Sequence, residues 1–408
     1  MKSHFNASFF RGNRQKLREL CQTELIVVTA NGLLQRSGDT TFPFRQDSNF
    51  WYLTGIDEPD IVLVMDKNTE YLIVPGREAV REAFDGALDE KNLTGYSGIT
   101  NIFNEATGWD RLRVALKNNN KLSTSAAIDP YLSRHGFYAN PSRAALIDCL
   151  KQINPKLQIN DIRPQFTSLR MIKQAPELRA IRQAISITTK TFTQSVHATL
   201  KQVAHEYEVE AAITQGFRGQ AADGHAYQPI VASGSNACTL HYIANNSLMQ
   251  SDQLLLIDAG ASVSNYAADI TRTYALGKPT KRQKAVHQAV LYIQDFALQL
   301  LKPGVVMKKY EQIIEQHMGE KLRELGVIRT LEHENIRKYY PHATSHFLGL
   351  DVHDVGDYQR PLEPGMILTV EPGIYIPEEG IGVRIEDDVL ITKTGHKVLS
   401  DSLPRSLT

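Results

Sequence analysis

Residues 254–273 read LLLIDAGASVSNYAADITRT and residues 368–389 read LTVEPGIYIPEEGIGVRIEDDV. Each stretch has the pattern of a β-hairpin with an acidic residue on either arm: Asp258 and Asp269 in the first, Glu371 and Glu386 in the second. Asp258 and Asp269 are equidistant from Val263-Ser264, and Glu371 and Glu386 from Glu378-Glu379, so each pair is expected to face its partner across a turn. Directly opposed residues on one face of an antiparallel pair have Cβ atoms roughly 4.5–5.5 Å apart, where like charges are destabilising. A cation is therefore expected between them. The second centring also rests on turn chemistry, since Pro377-Glu378-Glu379-Gly380 puts Gly where type I turns favour it.

Asp258 follows the apolar run LLLI and Glu371 follows ILTV, positions where an unpaired carboxylate is expensive to bury. Between the hairpins, histidines gather in YPHATSHFLGLDVHDVG: His342, His346 and His353, with His241 further upstream in TLHY. His346 is the best-placed nitrogen donor to complete a site otherwise made of oxygens. Four carboxylates and one imidazole make a hard ligand set, suited to Mn²⁺, Mg²⁺, Co²⁺ or Zn²⁺, and two such ions would balance the four negative charges. Two metals about 3.5–4 Å apart can share a hydroxide and polarise a carbonyl, which is the chemistry of metal-assisted hydrolysis.

The rest of the chain bounds this reading. Its 408 residues exceed the size at which one core stops growing, so two domains are expected. Up to about residue 165, short apolar strands (ELIVVTA, DIVLVMD, EYLIVPG) alternate with helical stretches, one of them over Asn13 to Cys21, as in a compact α/β domain. After Asn160-Asp161-Ile162-Arg163-Pro164 a second domain, residues 166–408, opens with a long helix at Pro176-Glu177. Further helices are expected over about 281–301, stopped by Pro303-Gly304, and about 309–325, stopped by Gly326. Acidic and basic residues balance at 45 each, which argues against nucleic-acid or membrane-surface partners. Three scattered cysteines, no signal-like N-terminus and no long apolar run point to a reducing, cytoplasmic setting.

IDAG, ADITRT, SHFLGLDVHDVG, LEPGMILTVEPGIYI and GVRIEDDV resemble the motifs of the M24 metallopeptidases, most closely the Xaa-Pro aminopeptidase branch, and FPFRQDSNFWYLTGIDEPD is similar to the N-terminal domain of that branch. The resemblance implies an α+β architecture: a pita-bread catalytic domain of two pseudo-symmetric antiparallel-sheet halves with outer helices, after a smaller creatinase-like α/β domain. It implies that Asp258 chelates one metal, that Asp269 and Glu386 bridge two, and that His346 and Glu371 hold the other. Mn²⁺ is the first expectation. Glu371 would serve as general base, and His241 and His353 would contact the scissile peptide. His342 and Arg384 would shape the site, and Tyr227 and Tyr375 would line the pocket. The implied substrates are peptides with proline at the second position, and the implied assembly is a homodimer or homotetramer. Prolidase, which shares the cage but reads a dipeptide's carboxylate, is the nearest alternative. A non-catalytic pita-bread binding module or a metal-free creatinase-like enzyme would be expected to lack ligands that are all present here. The chain departs from the family at Glu82-Ala83-Phe84-Asp85-Gly86, where relatives often carry tryptophan, and in short loops at 358–361 and 377–380.

Overall fold

A computed structural model of the chain describes residues 4–21, 25–77, 79–125, 136–200 and 202–407. It divides into two compact units, Met1–Leu169 and Arg170–Thr408. The boundary expected at residue 166 falls within a helix, Arg163–Met171.

The first unit is built on a six-stranded mixed sheet in the order Ile102–Asn104, Glu70–Val74, Val62–Met65, Ile26–Thr29, Lys121–Thr124, Gln158–Asp161. Strands 26–29 and 62–65 are buried at every residue, which is why they read as unbroken apolar runs and not as alternating ones. Val27, Val64 and Ile73 meet Leu112 and Leu116 of helix Glu105–Asn118 in one core. The first helix runs over Ala7–Cys21 and so begins six residues before the expected Asn13. Asn6 caps it by accepting from the Phe9 N–H at 3.1 Å, and Phe9 and Phe10 are drawn into an aromatic cluster with Phe5 and Trp51. Helix Ser48–Thr54 is capped by Asp47 and ends at Gly55, φ 68°, where any Cβ would lie 2.3 Å from the Phe10 ring. Phe84, on helix Ala79–Asp85, is 84% exposed.

In the second unit, Gln174 and Glu177 form a capping box on helix Ala175–Thr191. Strands Leu254–Asp258 and Thr271–Ala275 pair antiparallel, with Asp258 opposite Thr271, and the ladder resumes beyond a break as Ala261–Val263 against Tyr266–Ala267. The second hairpin repeats the plan: Ile367–Val370 pairs with Asp387–Ile391, and Gly373–Ile376 with Ile381–Arg384. The acids lie at or within the two breaks. Helices Lys281–Leu300 and Met307–Glu324 cover the second hairpin, where Val290, Ile293, Ile314 and Met318 share a core with Leu368, Val370, Ile374 and Val383.

The second hairpin has the expected register, since Val370 opposes Asp387 and Gly373 opposes Arg384, leaving Glu371 facing Glu386. In the first, the turn centre moves by one residue and the pairing therefore by two, Asp258 facing Thr271 and not Asp269. Its turn is Ser264-Asn265, both at positive φ (50° and 65°), and not Val263-Ser264. Two successive residues in the left-handed region are the signature of a tight hairpin turn, which Asn tolerates better than the β-branched Val263. Asp269 consequently opposes Gly260, between the pairs Ala259–Ile270 and Ala261–Ala268. Gly260 has no room for a side chain, because a Cβ there would meet the Ala268 carbonyl oxygen at 1.7 Å. Among the described residues no helix is long and apolar enough to cross a membrane.

Candidate metal centre

Strand ends deliver the acids. Asp258 terminates an all-buried apolar strand, Glu371 follows another, and Glu386 immediately precedes strand Asp387–Ile391. His346 comes from an irregular segment tied to the second hairpin through Thr369, which donates its N–H to the His346 carbonyl at 2.9 Å and accepts the His346 N–H on its hydroxyl. Asp258, Asp269, His346 and Glu386 are each no more than 8% exposed.

These side chains converge. Asp269, His346 and Glu386 each present a ligand atom, all within 4.8 Å of one another. His346 Nε2 lies 3.4 Å from Asp269 Oδ2 and 3.3 Å from Glu371 Oε1. Asp258 joins through Tyr227, whose hydroxyl is 2.5 Å from Asp258 Oδ1 and 2.6 Å from Asp269 Oδ1. The two hairpins also brace each other. Arg384, on the second, donates to Asp258 Oδ2 at 2.6 Å, and Thr271, on the first, donates its hydroxyl to Glu386 Oε2 at 2.6 Å.

Four carboxylates, three buried and the fourth, Glu371, with a side chain 16% exposed, share too little positive charge. Burial, with repulsion from Asp269 and Glu371, holds Glu386 well above the usual carboxylate range. Glu371 is lifted to about 8 by burial and by Asp269, against the pull of His346. Asp258 is raised by burial although Arg384 opposes the shift. Burial disfavours a charged His346, yet the carboxylates of Asp269 and Glu371 outweigh it and lift the imidazolium to about 9. His346 Nδ1 faces the Phe347 carbonyl at 3.0 Å, so it carries the ring hydrogen and leaves Nε2 aimed at the acids, as a metal-ligating histidine requires. An oxygen-rich, thiol-free donor set with this excess of negative charge fits divalent cations.

Around the cage, Arg384 Nη1 donates to the Tyr375 hydroxyl at 2.9 Å, and that hydroxyl lies 2.8 Å from His342 Nε2. His342 Nδ1 faces the Ala343 carbonyl and must carry the hydrogen, so Nε2 accepts from Tyr375. Burial and Arg384 push His342 down to about 3, which keeps it neutral. His353 stacks on His346 with ring centroids 4.1 Å apart. His241 is exposed, on the loop after the 3₁₀ turn Gly234–Cys238, and burial, then His346, with His241 adding to them, hold His353 down at about 4. Every residue singled out from the sequence therefore belongs to one neighbourhood, with His241 at its edge.

One functional neighbour, Asp388, has no place among the sequence expectations, while Tyr227, expected to line the pocket, also touches both aspartates. Asp388 is fully buried, accepts the Asp269 N–H on Oδ2 at 3.1 Å, and has no partner for Oδ1. The acidic run Glu386-Asp387-Asp388 carried a signal for it, because strand alternation puts Glu386 and Asp388 on one face. Asp387, on the other, is matched by Arg272 at 2.7 Å.

Residues 179–393 match Metallopeptidase family M24, and residues 10–122 match the aminopeptidase P N-terminal domain. This chain belongs to the M24 metallopeptidases. It is 35% identical to Xaa-Pro aminopeptidase from Haemophilus influenzae, over 91% of this chain and 89% of the relative. Human Xaa-Pro aminopeptidase 3 is 33% identical, over 97% of this chain and 83% of that protein. The solved structure of Zn-substituted Escherichia coli aminopeptidase P in complex with product superposes with a TM-score of 0.87 at 30% identity, covering 98% and 96% of the two chains. The M24 unit thus has the pita-bread fold, two antiparallel-sheet halves with outer helices, and follows a smaller α/β domain in the sequence.

Proposed function

We propose that this M24 enzyme is a dinuclear metalloaminopeptidase that hydrolyses the bond between an N-terminal residue and a following proline. Asp258, Asp269, His346, Glu371 and Glu386 would hold two divalent cations, Mn²⁺ first among them, with Co²⁺, Zn²⁺ or Mg²⁺ able to use the same donors. When bound, the ions make a water nucleophilic at neutral pH and polarise the peptide carbonyl.

The chain's own residues do the remaining work. Glu371 sits between His346 and His342, its Oε2 3.6 Å from His342 Nδ1. It takes the proton of the attacking water and delivers it to the leaving nitrogen. Like any amide nitrogen, the prolyl nitrogen leaves as an amine only when a proton is supplied. Neutral His342, its tautomer fixed by Ala343 and Tyr375, does not compete for that proton. His353 and His241 line the approach and orient the carbonyl, and Asp258 receives the free α-amino group. A cytoplasmic location and a homodimeric or homotetrameric assembly are part of this proposal, and light scattering checks the assembly.

The observation that carries this reading is the convergence, in one thiol-free site, of four carboxylates from two hairpins with His346 from the segment tied to the second. Purified protein with Mn²⁺ should release the first residue from Xaa-Pro-Yaa peptides, leave Xaa-Ala-Yaa peptides intact, and lose activity with chelator. Cleavage confined to Xaa-Pro dipeptides would make it a prolidase. Folded, Mn²⁺-loaded protein that leaves every proline peptide uncut would end the proposal.

A further inference from the structure

Beside the cage lies a buried charge cluster that the chemistry above does not use. Arg170 Nη2 donates to Asp354 Oδ1 at 2.5 Å and to Asp351 Oδ2 at 2.8 Å, and Lys173 Nζ donates to Asp354 Oδ2 at 3.0 Å. The side chains of Arg170, Lys173 and Asp354 are 3%, 1% and 1% exposed. Charge taken so far out of water is rarely there for stability alone, since well-packed apolar replacements of buried ion pairs are often neutral or stabilising.

What the cluster grips is more informative. Asp351 and Asp354 bracket His353, and the stretch from 348 to 360 contains no helix or strand that could hold that histidine. Arg170 ties both ends of the bracket to one guanidinium nitrogen. The Asp354 N–H closes onto the Phe347 carbonyl at 2.8 Å, next to His346, and Ala267 of the first hairpin donates to the Gly349 carbonyl at 2.9 Å. Gly349 is itself shaped to this contact, because a Cβ there would stand 2.1 Å from Asp354 Oδ2. At the end of this chain of contacts, His353 lies flat on His346, the ring planes 21° apart.

We propose that Asp354, clamped by Lys173 and Arg170, is a positioning residue that holds His353 over His346 and so aims it at the peptide carbonyl. The catalytic part rests on the peptidase reading, whereas the positioning of the ring does not. Both are read in full-length protein labelled at the histidine ring carbons, with the His353 signal assigned by its loss in His353→Ala.

Asp354→Asn is expected to move the His353 ring resonance out of its stacked position while metal content stays at the wild-type level. Lys173→Met, which keeps the Arg170–Asp354 pair, is expected to shift it in the same direction and serves if Asp354→Asn does not fold. On Xaa-Pro-Yaa peptides kcat should fall about tenfold, with KM changed by less than about twofold. In a His353→Ala background the same substitution should change kcat by less than about twofold, because the residue it acts through is gone. An unmoved His353 resonance in a folded variant, or a tenfold loss that persists without His353, overturns the assignment. Wild-type protein inactive on proline peptides, with the resonance still displaced by Asp354→Asn, defeats the peptidase reading and upholds the clamp.

Discussion

The two acidic hairpins of the M24 unit follow one plan but neutralise their charge differently. In the first, Asp258 faces Thr271 and Asp269 faces Gly260, so the acids are staggered, and Tyr227 and Arg384 reach in to satisfy them. In the second, Glu371 and Glu386 oppose each other directly, with His346 as the imidazole nearest Glu371. Staggering lets protein groups enter between the carboxylates. Direct opposition leaves a place that a cation fills well, and burial, with repulsion from Asp269 and then Glu371, holds Glu386 well above its ordinary range.

Substituting each hairpin's distinguishing contact tests that contrast most severely. Glu371→Gln should lower kcat by about 10²–10⁴ if it is the proton shuttle, as measured by peptide hydrolysis at saturating Mn²⁺. Tyr227→Phe touches only the first hairpin and should act more mildly, weakening metal affinity by about 10- to 100-fold, the usual scale for groups that orient ligands. Metal titration followed by calorimetry separates the two. Equal losses of affinity in both variants would erase the distinction between the hairpins.

A pH series sharpens it further. Glu371 is raised from its ordinary 4.5 to about 8 and His346 from 6.5 to about 9, so the native metal-free chain binds more protons than the unfolded one across that interval. The stabilisation from Glu371 is complete below its unfolded value and is lost as pH rises through about 8. That from His346 is complete below its own unfolded value and is lost through about 9. Bound cations replace those protons, so the rise in Tm on adding Mn²⁺ should grow between about pH 5 and about pH 8. Thermal melts with and without metal check this, and a metal-induced rise that shrinks with pH would contradict it.

The smallest effects lie at the turns. Ser264→Gly should stabilise the fold by up to about 1 kcal/mol, since Ser264 holds a left-handed conformation that glycine adopts freely. Val263→Gly, at a buried strand position, should destabilise it by about 2 kcal/mol or more. The opposite order in denaturant melts would move the turn back to Val263-Ser264.

Those turns also explain what the sequence made legible. The second register could be read because Pro377 and Gly380 mark a turn whose geometry agrees with the spacing of the glutamates. The first could not be read from the spacing of the aspartates, which suggests a symmetric pair, because the turn lies at Ser264-Asn265. Helix Ala175–Thr191 is legible from Pro176-Glu177 and the end of helix Lys281–Leu300 from Pro303-Gly304, whereas the opening turns of the first helix, capped by Asn6, lie outside the expected Asn13 to Cys21. Arg384 reaching Asp258, Tyr227 bridging two aspartates and Lys173 holding Asp354 join residues 31 to 181 positions apart. No local pattern encodes such contacts: Arg384 and Tyr227 are marked as site residues only by the family resemblance, and the grip of Lys173 on Asp354 is not marked at all.

The central claim is that both hairpins together hold two cations needed for cleavage. Titrating chelator-treated protein with Mn²⁺ while following Xaa-Pro-Yaa hydrolysis tests it most directly. The expected result is two ions per chain, with activity absent in the metal-free protein and restored as the sites fill. Saturation at one ion, or full activity in the presence of chelator, would contradict it.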